Sequence, residues 1–333
     1  MRDMRSTPWS RTTFLISAAT LVTSLGTALA QAPAPAKAPA PPAPTAPAAA
    51  APARKVIPVG TRPESVTRGF GGKLYISVMN ASDVEGDGVV KVIDGDQVKD
   101  FATGFDEPKG ICFNGKLLFV TDVKRVWRID AKGEKSPLVD EDDFPQPPSF
   151  LNDIACEPGG KAVYVTDMGA NTKMRDPNKK LWPLDSPEAK ALPAIGRVYR
   201  IDMKYKIKVA VDSSPQMPNP NGVAAPGPGR LLVAEFFTGT IFEPKGKTLN
   251  PLVTGLRGAD GLEEDARRNI YVSSWEQGKV WRFRRGTPAK PAQPELLAEG
   301  FQSAADFFLD SKGKQLLLPD MKAGTLTFIP LPP

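Results

Sequence analysis

The sequence predicts an all-β protein, a six-bladed β-propeller, and three observations predict it. A short entry element recurs six times, each recurrence is followed by apolar strands at fixed offsets, and the last unit lacks one strand. The entries are Glu64-Ser65-Val66, Lys109-Gly110-Ile111, Asn152-Asp153-Ile154, Asn221-Gly222-Val223, Asp260-Gly261-Leu262 and Ala305-Asp306-Phe307, spaced by 45, 43, 69, 39 and 45 residues. About ten residues on come "KLYISV", "LLFVTD", "AVYVTD", "LLVAEF", "NIYVSS" and "QLLLPD". After a turn come "GVVKVID", "RVWRID", "GRVYRID", "GTIFEP", "GKVWRF" and "GTLTFI". Short β-branched and aromatic strands in units of about 40–45 residues mark propeller blades.

Most units end in a fourth, outer strand such as "SPLVD", "KVAVD" or "NPLVT", but the sixth stops after "GTLTFIPLPP". The missing strand is available as "KVIPVG", Lys55 to Gly60, which would close the ring and remove an open sheet edge. Two stacked β-sandwiches would explain neither the common register nor this displaced strand.

The folded domain is therefore expected over residues 55–333. Residues 1–30 read as a signal peptide, with Arg2, Arg5 and Arg11 before a short apolar run and Ala28-Leu29-Ala30 as the cleavage site. Residues 31–54 hold 12 Ala and 8 Pro and read as a semi-extended linker without a core. A periplasmic or secreted protein is expected, with no stable membrane insertion once the signal is cleaved.

Composition removes whole classes of chemistry. The 333 residues include no His, which excludes Ser-His-Asp and Cys-His nucleophiles, His-ligated zinc and imidazole bases. The net charge of +6 falls to +2 from Lys55 onward, with no basic run, so nucleic acid is not expected as a partner. No G-x-S-x-G elbow, P-loop or dinucleotide fingerprint is present.

In a propeller the first strand of each blade lines the central channel, so Glu64, Lys109, Asn152, Asn221, Asp260 and Ala305 should converge on one axis. Glu64, Asn152, Asn221 and Asp260 bring two carboxylates and two carboxamides. Such a set suits a hard divalent cation of the Ca²⁺ type. Asn or Asp before Gly often only forms a turn, but four oxygen donors in one register exceed that.

The segments "RPESV", "FLNDIACEPGGKAVYVTDMG", "PNPNGVAAPGPGRLLVAEF" and "GADGLEEDARRNIYVSSW" resemble the senescence marker protein/gluconolactonase family of calcium-dependent six-bladed propellers, over about residues 56–330. The resemblance implies a metal bound by Glu64, Asn152, Asn221 and Asp260, and a small-molecule lactone or ester substrate. It implies a hydrolase in which Ca²⁺ polarises the carbonyl and a carboxylate, Asp260 or Asp153, activates water. Asn152 and Lys109 would contact substrate. Lys109 departs from the pattern: its ammonium would either orient a substrate oxyanion or replace the ion. The alternative is a non-catalytic propeller that binds a ligand or protein partner.

Four further expectations come from the repeat. Trp127, Tyr199 and Trp281 share a position and should pack between blades. Asp122, Asp167, Glu235 and Asp320 end the second strands and should cap turns. The insertion over 168–195 should rise over the metal face as a lid or a specificity wall, or else be a plain surface excursion, whereas the loop over 79–87 should be solvated. Cys112 and Cys156 lie three and four residues past their entries, on opposite strand faces, which predicts two buried free thiols.

Overall fold

The computed structural model describes residues 54–332 except 83, 288 and 289. The expected signal peptide and, but for Arg54, the expected linker lie outside the described residues. Six four-stranded antiparallel sheets account for nearly all the regular structure. The one α-helix among the described residues is a single turn, Pro187–Lys190. No helix among the described residues is long and apolar enough to cross a membrane.

Each sheet is a blade, and in the first five the strands run in sequence order from the axis outward. Blade one runs Pro63–Arg68, Leu74–Val78, Gly88–Asp94 and Gln97–Phe105, and blade two begins with Pro108–Phe113. The innermost strands of blades three, four and five are Leu151–Cys156, Pro220–Gly227 and Ala259–Glu264. Blade six has the order Phe308–Asp310, Gln315–Asp320, Thr325–Pro330 and Lys55–Pro58. The outermost strand is the one expected from the start of the domain, and it pairs Lys55 with Phe328 and Pro58 with Thr325.

Burial follows the six seams between blades. One cluster joins Phe119 and Val126 of blade two to Val163 and Tyr199 of blade three, and an equivalent cluster fills each other seam. Alternation along a strand gives every blade two apolar faces, and each face meets the opposite face of its neighbour. Tyr199 is fully buried in its seam, and Trp127 and Trp281 pack against the seams between blades one and two and blades four and five.

The cysteines correct the sequence expectation. Cys112 and Cys156 are joined in a disulfide with a Cα–Cα separation of 5.7 Å, and no free thiol remains among the described residues. Opposite strand faces would separate two cysteines within one sheet. Here the strands belong to neighbouring blades, whose opposite faces meet across the seam, so the same parity brings the sulfurs together.

The bridge spans a sequence separation of 44 and ties the innermost strands of blades two and three. On chain-entropy grounds a loop of that size contributes about 4 kcal/mol. Reduction under non-denaturing conditions is therefore expected to lower the melting temperature by several degrees or more, as read by differential scanning calorimetry. An unchanged transition would show the bridge to be energetically idle.

Candidate functional site

Five of the six entry residues owe their orientation to a repeated irregularity. In each of the first five blades the register between the first and second strands slips at the entry, between Pro63 and Val66, Pro108 and Ile111, Leu151 and Ile154, Pro220 and Val223, and Ala259 and Leu262. Two residues of the inner strand oppose one of its partner, which is a β-bulge. The first of the two is the entry residue. The second is Ser65, Gly110, Asp153, Gly222 or Gly261.

Hydroxyls opposite the bulges hold them. Ser77 Oγ accepts from the Ser65 amide at 3.0 Å and donates to the Lys109 carbonyl of the next blade at 2.5 Å. Ser273 does the same for the Gly261 amide and the Ala305 carbonyl, both at 2.8 Å. Thr121 donates to the Asn152 carbonyl, and Thr166 accepts from the Asp153 amide at 2.9 Å. Neighbouring inner strands approach so closely that a Cβ on Gly222 would lie 1.8 Å from the Asp260 carbonyl oxygen. Glycine is required there by contact.

The four expected donors are all buried, each at 7% exposure or less. Each also presents one oxygen without a hydrogen-bond partner: Glu64 Oε2, Asn152 Oδ1, Asn221 Oδ1 and Asp260 Oδ1. A buried polar atom left unpaired costs about 1–3 kcal/mol, so four at one register position form a site with an unmet demand for a cation or donor. Burial, then Asp260 and Asp153, push the Glu64 carboxyl well above the usual range, and Lys109 pulls it back. Burial, then Asp306 and Asp153, do the same to Asp260, where Asn221 opposes the rise. Among the described residues no three carboxylate or thiol groups converge on one point. The ring relies on mixed carboxylate and carboxamide oxygens, a donor set that fits a hard divalent ion.

Lys109 shares the ring position but bonds to Glu107 rather than to Glu64 or Asp260. Its ammonium donates to the Glu107 carbonyl at 3.0 Å, pairs with Glu107 Oε2 at 3.3 Å and lies 4.2 Å from the centre of the Phe150 ring. Glu107 also pairs with Arg62 at 3.0 Å. Burial lowers the Lys109 pKa, and Glu107, then Glu64, resist the fall. Asp153 also has its oxygens committed, to the Val223 amide at 2.7 Å and the Ile154 amide at 2.6 Å. It links blades three and four, and burial raises it to about 6 against those two amides. Below the ring, Asp153, Glu263, Asp306 and the disulfide border a channel cavity of about 170 Å³.

The acids closing the second strands cap loops as expected. Asp122, Asp167, Glu235 and Asp320 each accept backbone amides from the segment leading into the inner strand of their own blade. The residue after each second strand is apolar in every blade: Met79, Val123, Met168, Phe236, Trp275 and Met321. In all blades but the second its amide bonds to the carbonyl two residues before the ring position, as with Met168 to Phe150 at 2.8 Å and Phe236 to Asn219 at 3.0 Å. A collar thus surrounds the ring. Met168 Sδ lies 3.5 Å from Asn152 Nδ2, the Phe236 and Trp275 rings are 6.5 Å apart, and Trp275 Nε1 meets Met321 Sδ at 3.3 Å.

The 168–195 insertion joins this collar. Met174, Leu181 and Trp182 pack with Met168, Phe236, Phe237, Phe150 and Trp275. Arg257 donates to the Trp182 carbonyl at 2.8 Å, and Arg175 pairs with Glu276 at 3.1 Å. The sequence expectation missed the collar, Glu107, Phe150 and Asn219. The collar repeats in register like the entries, but apolar residues at strand ends read as core.

These features define a six-bladed propeller whose axis carries a ring of buried, unpaired oxygens under an apolar collar. The model of the SMP-30/Gluconolactonase/LRE-like region matches residues 115–287, and the chain belongs to that family. Similar solved structures include a gluconolactonase from Xanthomonas campestris, at 18% identity over 84% of this chain and 90% of that one, with a TM-score of 0.58. Virginiamycin B lyase from Staphylococcus aureus is similar at 14% identity over 84% and 100%, with a TM-score of 0.52. A chain of a nidogen/laminin complex is similar at 17% identity over 84% and 94%, with a TM-score of 0.50. At these identities the likeness is one of fold. No curated protein matches the chain.

The Lys109 geometry generates a prediction. An ammonium engaged by Glu107 would act as a like charge beside a bound cation rather than replace it. Lys109→Met is expected to leave Ca²⁺ affinity unchanged or to raise it by up to about tenfold, equivalent to about 1.4 kcal/mol of relieved repulsion. Calorimetric titration reads this directly, and a large loss of affinity would reverse the assignment of Lys109.

Proposed function

We propose that the protein is an exported, Ca²⁺-dependent hydrolase of lactones or related esters. The observation that carries the reading is the set of four unpaired buried oxygens on Glu64, Asn152, Asn221 and Asp260, on a chain of the gluconolactonase family. These residues would hold the ion, which when bound would act as a Lewis acid on the substrate carbonyl.

The chain's own groups divide the remaining work. Asp260 takes the proton of the attacking water, because Asp153 has its oxygens on backbone amides and serves instead to link blades three and four. Asn152 would also contact the substrate. Lys109, held by Glu107 and Phe150, places a positive charge near the developing oxyanion. The Cys112–Cys156 bridge suits an oxidising compartment and supports the export expected from the leader.

Asp260→Ala is expected to abolish calorimetric Ca²⁺ binding and to lower lactone turnover at least about a hundredfold, the scale seen when a single transition-state contact is lost. Chelator should silence the native enzyme in the same assay. Because Glu64 and Asp260 are held protonated more readily than free carboxyls, binding should release protons and tighten as pH rises. Chelator-insensitive turnover would refute the metal role, and no turnover of any lactone or ester would favour the non-catalytic binding propeller.

A further inference from the structure

The 168–195 insertion covers only part of the collar. Its apolar residues pack with Phe150, Met168, Phe236 and Trp275, whereas Met79, Val123 and Met321 stay outside that cluster. The uncovered side of the collar therefore belongs to blades six, one and two. Trp275 stands where the covered and open sides meet: it packs with the insertion, its indole meets Met321, and it is half-buried.

Two cations lie over that indole, the Lys322 ammonium 4.2 Å and the Arg175 guanidinium 5.2 Å from the ring centre. Arg175 also lies 5.7 Å from the centre of the Phe236 ring. Aromatic faces attract cations and restrain these long side chains, so a ligand that bonds to them has less ordering to impose.

The two charges are unequally answered. Arg175 spends Nη1 on Glu276 at 3.1 Å and on the Lys179 carbonyl at 2.7 Å, while its Nε and Nη2 make no hydrogen bond among the described residues. The Lys322 ammonium has no hydrogen-bond or acidic partner among the described residues, and only its amide is engaged, by Ser303 Oγ at 2.8 Å. Asp320, two residues earlier, accepts the amides of Gln302, Ser303 and Ala323. The other collar cations are satisfied: Arg62 and Lys109 share Glu107, and Arg257 donates to the carbonyls of Trp182 and Phe237. Two like charges beside one indole, with Glu276 as their acidic partner, leave an excess of one positive charge and a set of unused N–H donors.

We propose that Lys322 and the free edge of Arg175 seat a second, negatively charged group of the substrate, a carboxylate carried by the lactone or ester. The proposal rests on the hydrolase reading and names its substrate class. Water adds across the acyl–oxygen bond, so the product is a hydroxy dicarboxylate. A planar guanidinium edge matches a carboxylate, whose single charge equals the excess where a phosphate dianion would exceed it. The seat also orients the substrate. A carboxylate held at the collar cannot compete with the reacting carbonyl for a cation at the ring.

The test uses the calcium-loaded protein and a matched pair of γ-lactones, one bearing a carboxylate beside the ring oxygen and the other the neutral carboxamide of the same shape. kcat/KM for the carboxylate is expected to exceed that for the carboxamide by at least about tenfold, mainly through KM, the scale of one hydrogen bond to a charged group. Added salt should shrink this advantage. In Lys322→Met the ratio should collapse to within about threefold of one, and in Lys322→Arg it should persist, because the charge is kept. Lys322 is exposed, so neither change opens a cavity in the fold. Binding of the hydroxy dicarboxylate, followed by tryptophan fluorescence, reads the seat without turnover and should be lost in Lys322→Met. Equal turnover of the two lactones, unaffected by Lys322→Met, overturns this inference and leaves the hydrolase reading standing. No turnover of either lactone, with Lys322-dependent binding of the dicarboxylate, removes the hydrolase reading and keeps the anion seat. Absence of both overturns both.

Discussion

The β-bulge at the start of the inner strand in the first five blades is the constraint on which the rest depends. A regular strand would present residues alternately to the two seams, and none would face the axis. By setting two residues against one, the bulge frees the first of the pair to face inward and sends the second toward a neighbouring blade. Ser77, Thr121, Thr166 and Ser273 fix this arrangement, and three of them also hold the carbonyl of the next entry residue. The ring backbone is therefore tied from blade to blade by the side chains that shape each bulge. Oxygens held in this way can stay unpaired, because relaxing one toward a partner would break the clamp.

The same geometry separates residues that sequence alone places together. Asn152 and Asp153 are adjacent, yet one faces the axis with a free oxygen and the other links blades three and four. Glu64 and Ser65 divide similarly: Glu64 belongs to the ring, while Ser65 bonds to Asp306 and accepts from the Ile111 amide at 3.2 Å. Beneath the ring the interior is thus a polar belt joining consecutive blades, and above it lies the apolar collar. The ring of oxygens between those layers is shielded from bulk water, where the electrostatic effect of its charges would be weakest.

The repeat made the blades, the displaced closing strand and the four oxygen donors legible, because each is written six times or nearly so in one register. What stayed hidden depends on relations between blades. Cys112 and Cys156 read as incompatible when strand faces are compared within one sheet, and the seam reverses that conclusion. The partner of Lys109 is Glu107, two residues away, and no spacing rule marks it as an ion pair. Asn219 precedes Asn221 in "PNPNG", a doubling that could have signalled a second amide near the ring. The collar was visible as "DM", "EF", "SW" and "DM" after the second strands, but its meaning appears only once those positions surround an axis.

The most direct measurement of the central claim is a crystal structure of the protein grown in millimolar calcium, with anomalous data to identify the ion. The account predicts one ion on the axis, about 2.3–2.6 Å from Glu64 Oε2, Asn152 Oδ1, Asn221 Oδ1 and Asp260 Oδ1, with Lys109 still paired to Glu107. An axis without an ion, and Lys109 turned to bond Glu64 or Asp260, would contradict it.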